Sequence, residues 1–175
     1  MGLFDGFKNL MKQQTLEETI VEDTKKDIIY APVKGEMIAI QDIQDGVFSE
    51  EVLGKGCGIR PIEGKMYAPV SGKIIQVAET KHAVGFLSDD GIELLVHVGM
   101  DTVDMNGKGF TLHVKENDHV KCGQLIMDFS IAEIKKAGHV TTTAVVVTNS
   151  DDYKDINLLV TGEAEKSIEL IQTIS

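Results

Sequence analysis

Cysteine is scarce in this 175-residue chain: Cys57 and Cys122 lie far apart, form no C-x-x-C pair and follow no secretory signal. A reducing, cytoplasmic setting with both thiols structural is the expectation. Long apolar runs are missing too. None approaches the roughly 20 residues that a membrane span requires, so a soluble protein is expected. Lysine and arginine nowhere gather into a patch, and the formal net charge is -11. Nucleic acid is excluded as a partner, because nothing supplies the phosphate-neutralising surface it needs. The acidic balance instead favours basic protein partners, steered in electrostatically.

What is present describes one globular domain with a tail. Hydrophobic residues make up 42% and charged residues 26% of a chain long enough to bury a core. Residues 1–26 differ from the rest. Leu3, Phe4, Phe7, Leu10 and Met11 repeat with the period of one helical face, while Asp5, Lys8, Asn9 and Lys12 fall on the other. A helix this short is marginal alone in water and is expected to form on contact, with weak binding of residues 2–12 to a membrane surface as the leading reading.

From residue 27 to residue 175 the pattern is that of β-structure, and it repeats. Tyr30-Ala31-Pro32-Val33-Lys34-Gly35 recurs as Tyr67-Ala68-Pro69-Val70-Ser71-Gly72. Two copies are too few for a solenoid and imply two structurally related halves. Glycines such as Gly54, Gly64, Gly91, Gly107 and Gly123 punctuate short apolar runs at turn-like spacing. Strands are expected at residues 112–114, 125–129 and 144–148, with closing strands at 158–161 and 167–171 and a turn at 120–124. One short helix is expected over residues 130–136, with Ser130 as its cap and Glu133 completing a capping box. The fold class is therefore all-β: an antiparallel sandwich or barrel with two related halves, a duplicated hybrid motif, and one or two short helices.

Two histidines carry the chemistry. His97 sits in the apolar run Leu94, Leu95, Val96, Val98, and His82 follows a strand-like run over residues 73–80. The turn signal Ser88-Asp89-Asp90-Gly91 separates two apolar segments that can pair as antiparallel neighbours and bring the imidazoles together. Two imidazoles at one site suit a metal, or chemistry in which one is nucleophile and the other positions the incoming group. His113, His119 and His139 match no motif and receive no role.

The E-T-x-H-A segment at residues 79–83, the E-L-x-V-H-x-G-x-D-T-V segment at 93–103 and the A-P-V-x-G repeat resemble, together, the glucose-type enzyme IIA of the bacterial phosphoenolpyruvate-dependent sugar phosphotransferase system. The resemblance implies a phosphoryl carrier that takes its group from the phosphohistidine of the small protein HPr and passes it to a cysteine of a IIB domain. It implies His97 as phosphoryl acceptor, His82 as the residue that stabilises the group, Thr80 hydrogen-bonded to His82, and the Gly99 carbonyl on the other ring nitrogen of His97. Docking is implied for Val47, Phe48, Val52, Leu53, Val84, Leu95 and Val98. Asp45 and Asp101 match acidic positions that pair with basic partner residues.

Gly46, Ala78, Val84 and Leu95 depart from enteric members, which carry larger or aromatic groups there. Regulated transporters or kinases are expected as a class of partner, but these departures keep the enteric identities from being carried over. No cofactor and no permanent metal are expected, since His82 and His97 alone bind zinc weakly and would need a carboxylate from a partner. A lysostaphin-type zinc peptidase fits H-x-x-x-D at His97 and Asp101 but lacks the H-x-H that supplies its last ligand. A biotinyl or lipoyl carrier, suggested by the Val-Lys-x-Gly-Gln turn at 120–124, would need a hairpin-tip lysine within M-K-M or D-K-A, and neither occurs. A regulatory binding protein without catalysis would not need both histidines. The implied location is the cytoplasm, peripheral at the inner membrane face, and the sugar is set by the membrane partner.

Overall fold

The computed structural model describes residues 18–175, so the amphipathic segment at residues 2–12 lies outside the described residues. Among the described residues the first half runs β1 (Ile28–Tyr30), β2 (Gly35–Ala39), β3 (Lys55–Pro61), β4 (Lys65–Tyr67), β5 (Gly72–Val77), β6 (Ala83–Ser88) and β7 (Glu93–His97). The second half runs β8 (Phe110–Leu112), β9 (His119–Val120), β10 (Leu125–Phe129), α1 (Ile131–Lys136), β11 (Thr143–Val147), β12 (Asp155–Leu158), β13 (Gly162–Ala164) and β14 (Glu169–Ile174). Single 3-10 turns at Ile40–Ile43, Thr102–Met105 and Ser150–Asp152 complete it.

Three antiparallel sheets result. The largest has the order β13-β2-β3-β11-β7-β6-β5-β9, and the smaller two are β4-β10-β8 and β1-β14-β12. The all-β expectation holds. The repeat is its pseudo-symmetry: the Tyr30 amide donates to the Pro69 carbonyl at 2.9 Å, and the Tyr67 amide donates to the Pro32 carbonyl at 2.7 Å. Each copy thus satisfies the other at the point where proline has no donor of its own. Each motif also ends on a glycine, in both copies because a neighbouring strand's backbone passes too close for a side chain. A Cβ on Gly35 would lie 2.0 Å from the Arg60 carbonyl, and one on Gly72 would lie 2.1 Å from that of Leu87.

Several boundaries differ from expectation. The strand after residue 73 stops at Val77, and His82 follows a turn in which the Lys81 amide bonds to the Ala78 carbonyl with Lys81 at φ +63°. The polar residues Glu79, Thr80 and Lys81 have no sheet face to fill. The run at 158–161 splits into the end of β12 and a connection, and β8 lies two residues earlier than the apolar triplet at 112–114. Ser130 caps α1 by accepting from the Glu133 amide at 3.1 Å, but the box is half made, because the Ser130 amide goes to the Gly109 carbonyl. Residues 18–26 lie along the β domain: the Val21 amide bonds to the Cys122 carbonyl at 3.0 Å, and the Glu18 carboxylate accepts from the Leu125 amide. The step from tail to domain at residues 26 and 27 therefore falls within a stretch that contacts the sheets.

The main core fills the space between sheets, with Ile29, Ile59, Met66, Phe86, Leu94, Val96, Val145 and Leu170 among its members. β11 is buried along its whole length, because Val145 and Val147 face this core while Ala144 and Val146 face a second cluster with Ile40, Phe48 and Met100. A strand covered on both faces reads as a continuous apolar run rather than an alternation. β7 lies between β11 and β6, deep in the largest sheet, so its last residue, His97, is mounted on a rigid support.

Candidate functional site

The register around His97 opens space for an imidazole. Its cross-strand neighbours are Ala144 on β11 and Ala83 on β6, both small. Its side chain shares a face with Leu95 and so points at the second cluster rather than the main core. The ring packs against Phe48, with centroids 5.0 Å apart. His82 stands on the other side at 4.6 Å between centroids, with the planes at 82°.

Backbone and hydroxyl groups fix both rings. His97 Nδ1 donates to the Gly99 carbonyl at 2.8 Å. A carbonyl can only accept, so the proton is on Nδ1 and Nε2 keeps its lone pair. Thr80 Oγ1 lies 2.8 Å from His82 Nδ1, and a hydroxyl donating there puts the His82 proton on Nε2. Gly99 has φ +73°, and a Cβ would lie 2.5 Å from Thr102 Cγ2, while the Thr102 hydroxyl donates to the Val98 carbonyl at 2.6 Å. This packing holds the Gly99 carbonyl in place.

Burial, reinforced by the neighbouring His82, pushes the His97 imidazole down to about 4, against the opposing pull of the Gly99 carbonyl and of Asp45. His82 is lowered by burial as well, with the backbone of Thr80 working the other way. Both rings are neutral near pH 7, which keeps one nucleophilic nitrogen and one N–H donor side by side. That pairing can accept an electrophile at His97 and stabilise negative charge beside it.

His97 opens on a cleft of about 720 Å³ lined by Asp45, Val47, Phe48, Leu53, Leu95, Met100, Asp101, Val103 and Val140, with Ile43 and Gln44. Val47 and Leu53 are strongly exposed there, and Val52 nearby in sequence is 65% exposed. Asp45 and Asp101 sit on the rim. The Asp45 carboxyl, which burial alone would raise, is held below the ordinary value by the amides of Ser49, Phe48 and Val47. It caps the turn that brings Phe48 under His97, accepting from the Phe48 and Ser49 amides at 3.1 and 2.9 Å.

Two expected docking residues are corrected. Val84 and Val98 are fully buried, because their side chains point into the main core and leave no surface for a partner. Phe48 is 6% exposed and serves mainly as a wall for His97. Sequence reasoning missed Val103 and Val140, which are 56% and 57% exposed on the same cleft. Val103 closes the motif that contains His97 and was legible there. Val140 stands alone between His139 and three threonines, with no local signal.

Among the described residues, no group of three or more His, Cys, Asp or Glu is placed to hold a metal. No helix among them is long and apolar enough to cross a membrane. The free thiols of Cys57 and Cys122 are buried, and burial raises both to about 12. His113, His119 and His139 each bond to an aspartate, Asp128, Asp89 and Asp104 in turn.

The family model described as phosphoenolpyruvate-dependent sugar phosphotransferase system, EIIA 1, matches residues 27–153. The chain is 44% identical over 148 residues to a β-glucoside-specific EIIBCA component of Bacillus subtilis, spanning 85% of this chain but 24% of that longer protein. It is 42% identical over 145 residues to the glucose-specific EIIA component of Halalkalibacterium halodurans, covering 83% of this chain and 84% of that one. The solved structure of glucose permease IIA from Mycoplasma capricolum superposes with a TM-score of 0.76 at 30% identity, over 85% of this chain and 96% of that one.

Proposed function

The chain belongs to the EIIA 1 family of the phosphoenolpyruvate-dependent sugar phosphotransferase system and is a phosphotransferase component that works through a phosphohistidine, and we propose that His97 is the residue that carries the group. The observation that supports this most is the bond from His97 Nδ1 to the Gly99 carbonyl, which leaves the Nε2 lone pair free on a cleft wall.

The donor is the phosphohistidine of HPr. Its P–N bond breaks as a new one forms to His97 Nε2, and the His97 proton stays on Nδ1. His82 then donates from Nε2 to a phosphoryl oxygen, with Thr80 holding its other nitrogen. Transfer of this kind needs alignment and charge stabilisation more than covalent help, which a fixed imidazole pair supplies. In the second step the phosphoryl group moves to a cysteine thiolate of a IIB domain and His97 regains its lone pair.

Docking uses the apolar cleft: Val47, Val52, Leu53, Leu95, Val103 and Val140 meet the partner, with Asp45 and Asp101 receiving its basic residues. The relatives named EIIBCA carry the matching segment within one longer chain, which supports a IIB domain as acceptor. The sugar is of the glucose or β-glucoside class and is chosen by the membrane component. Work in the cytoplasm follows from the donor. A phosphate on His97 adds charge to an apolar surface, so phosphorylation state also selects among regulatory partners. Zinc binds only where a partner adds a carboxylate to His82 and His97.

Phosphorus-31 NMR of the chain loaded from phosphoenolpyruvate through enzyme I and HPr tests the assignment. One acid-labile phosphate on His97 Nε2 is the expected result. A phosphate on any other residue, or on His97 Nδ1, contradicts it.

A further inference from the structure

α1 ends in a cap in which the Gly138 amide donates to the Lys135 carbonyl at 3.0 Å and the His139 amide to that of Ile134 at 3.1 Å, with Gly138 at φ +87°. This cap turns the chain back toward the cleft and places His139 with only 14% of its side chain exposed. Its Nε2 donates to Asp104 Oδ1 at 2.6 Å. Asp104 lies on the 3-10 turn Thr102–Met105. One residue beyond His139, the Val140 carbonyl accepts from the Met100 amide at 3.1 Å.

Consecutive residues therefore grip the segment 99–105 at two points. That segment begins with the carbonyl that orients His97. It also holds Val103, and the gripping segment holds Val140, so the same bonds set the spacing of two exposed apolar side chains on the cleft rim. A bonded pair with one partner in solvent contributes little stability by itself, and 65% of the Asp104 side chain is exposed. The pair is placed to act through geometry instead.

We propose that His139 and Asp104 form a clasp that positions the Gly99 carbonyl beneath His97 and holds Val103 and Val140 in docking register. Both are positioning residues, and the inference rests on His97 being the phosphoryl acceptor.

The test compares His139→Ala, Asp104→Ala, their combination and His139→Gln in the full chain. The first readout is the nitrogen-15 resonance and water-exchange rate of His97 Nδ1–H. The second is steady-state transfer from phosphorylated HPr. Either alanine variant is expected to shift the Nδ1 signal, speed its exchange and lower kcat/KM about tenfold, since misplacement near 1 Å costs up to about 100-fold. The double variant should be no worse than either single one, because the residues act as a unit. His139→Gln keeps a donor and should recover most of both readouts. Asp104 is exposed, so its variant folds even if His139→Ala does not. An unchanged Nδ1–H signal in Asp104→Ala, or losses that add in the double variant, overturns the clasp. If wild type accepts no phosphate while the Nδ1 signal still responds to Asp104→Ala, the acceptor reading fails and the clasp stands.

Discussion

His82 and His97 meet edge to face, 4.6 Å between centroids, because the Val98 amide donates to the His82 carbonyl at 2.8 Å and draws the turn before β6 against the end of β7. At this distance two imidazolium charges repel, and burial already disfavours either one. A phosphoryl group on His97 reverses that balance, since its negative charge favours protonated His82. The His82 midpoint, lowered in the free protein, is expected to rise on phosphorylation. NMR titration of both forms measures it, and equal midpoints would refute the predicted coupling.

The buried His97 also makes stability depend on pH. Its folded pKa is about 4, against about 6.5 unfolded. Between these values the unfolded chain binds the proton and the folded chain does not, so stability falls as pH drops from about 6.5 toward 4. The loss approaches roughly 3 kcal/mol at the lower end, at 1.36 kcal/mol per unit. Urea unfolding of wild type and His97→Gln at pH 7 and pH 5 should show a steeper loss for wild type. Parallel losses would mean that other groups set the slope.

Gly99→Ala should harm both stability and transfer. The residue needs a positive φ, and the added Cβ would meet Thr102 Cγ2 at 2.5 Å and the Val140 carbonyl at 3.0 Å. A cost of about 1–3 kcal/mol is expected from the strained backbone. Transfer should fall beyond what the unfolded fraction explains, because the carbonyl that fixes the His97 tautomer moves. Thermal melts beside rate measurements separate the two effects, and a normal rate in the folded fraction would show the carbonyl to be dispensable.

Exposed and buried valines near the histidines should behave oppositely. Val103→Asp combined with Leu53→Asp is expected to raise KM for phosphorylated HPr roughly tenfold with little change in melting temperature. Val84→Ala is expected to cost roughly 2 kcal/mol of stability and leave KM alone, since Val84 is wholly buried. Equal KM effects from both would show that the cleft is not the docking face.

The sequence carried the local chemistry well and the long-range packing poorly. The repeat was legible as two related halves, yet nothing in Tyr30 or Pro69 announces that their backbones bond to each other. The β6 to β7 hairpin follows from Ser88-Asp89-Asp90-Gly91, and it pairs Ala83 with His97, so that the Val98 amide can reach the His82 carbonyl. Val84 and Val98 were misplaced for a physical reason. Alternation says that neighbours on a strand face opposite sides, but not which side is core when both are covered. Val140 and the His139–Asp104 pair depend on where α1 ends in space, which no nearby residue pattern encodes.

The most direct test of the account is phosphoryl transfer from phosphoenolpyruvate through purified enzyme I and HPr to wild type, His97→Ala and His82→Gln, followed by addition of a IIB domain. Wild type should acquire one acid-labile phosphate and lose it to IIB, His97→Ala should acquire none, and His82→Gln should load but fail to pass it on. A His97→Ala protein that still takes up phosphate, or a wild type that takes up none, would contradict the assignment of His97 as the carrier.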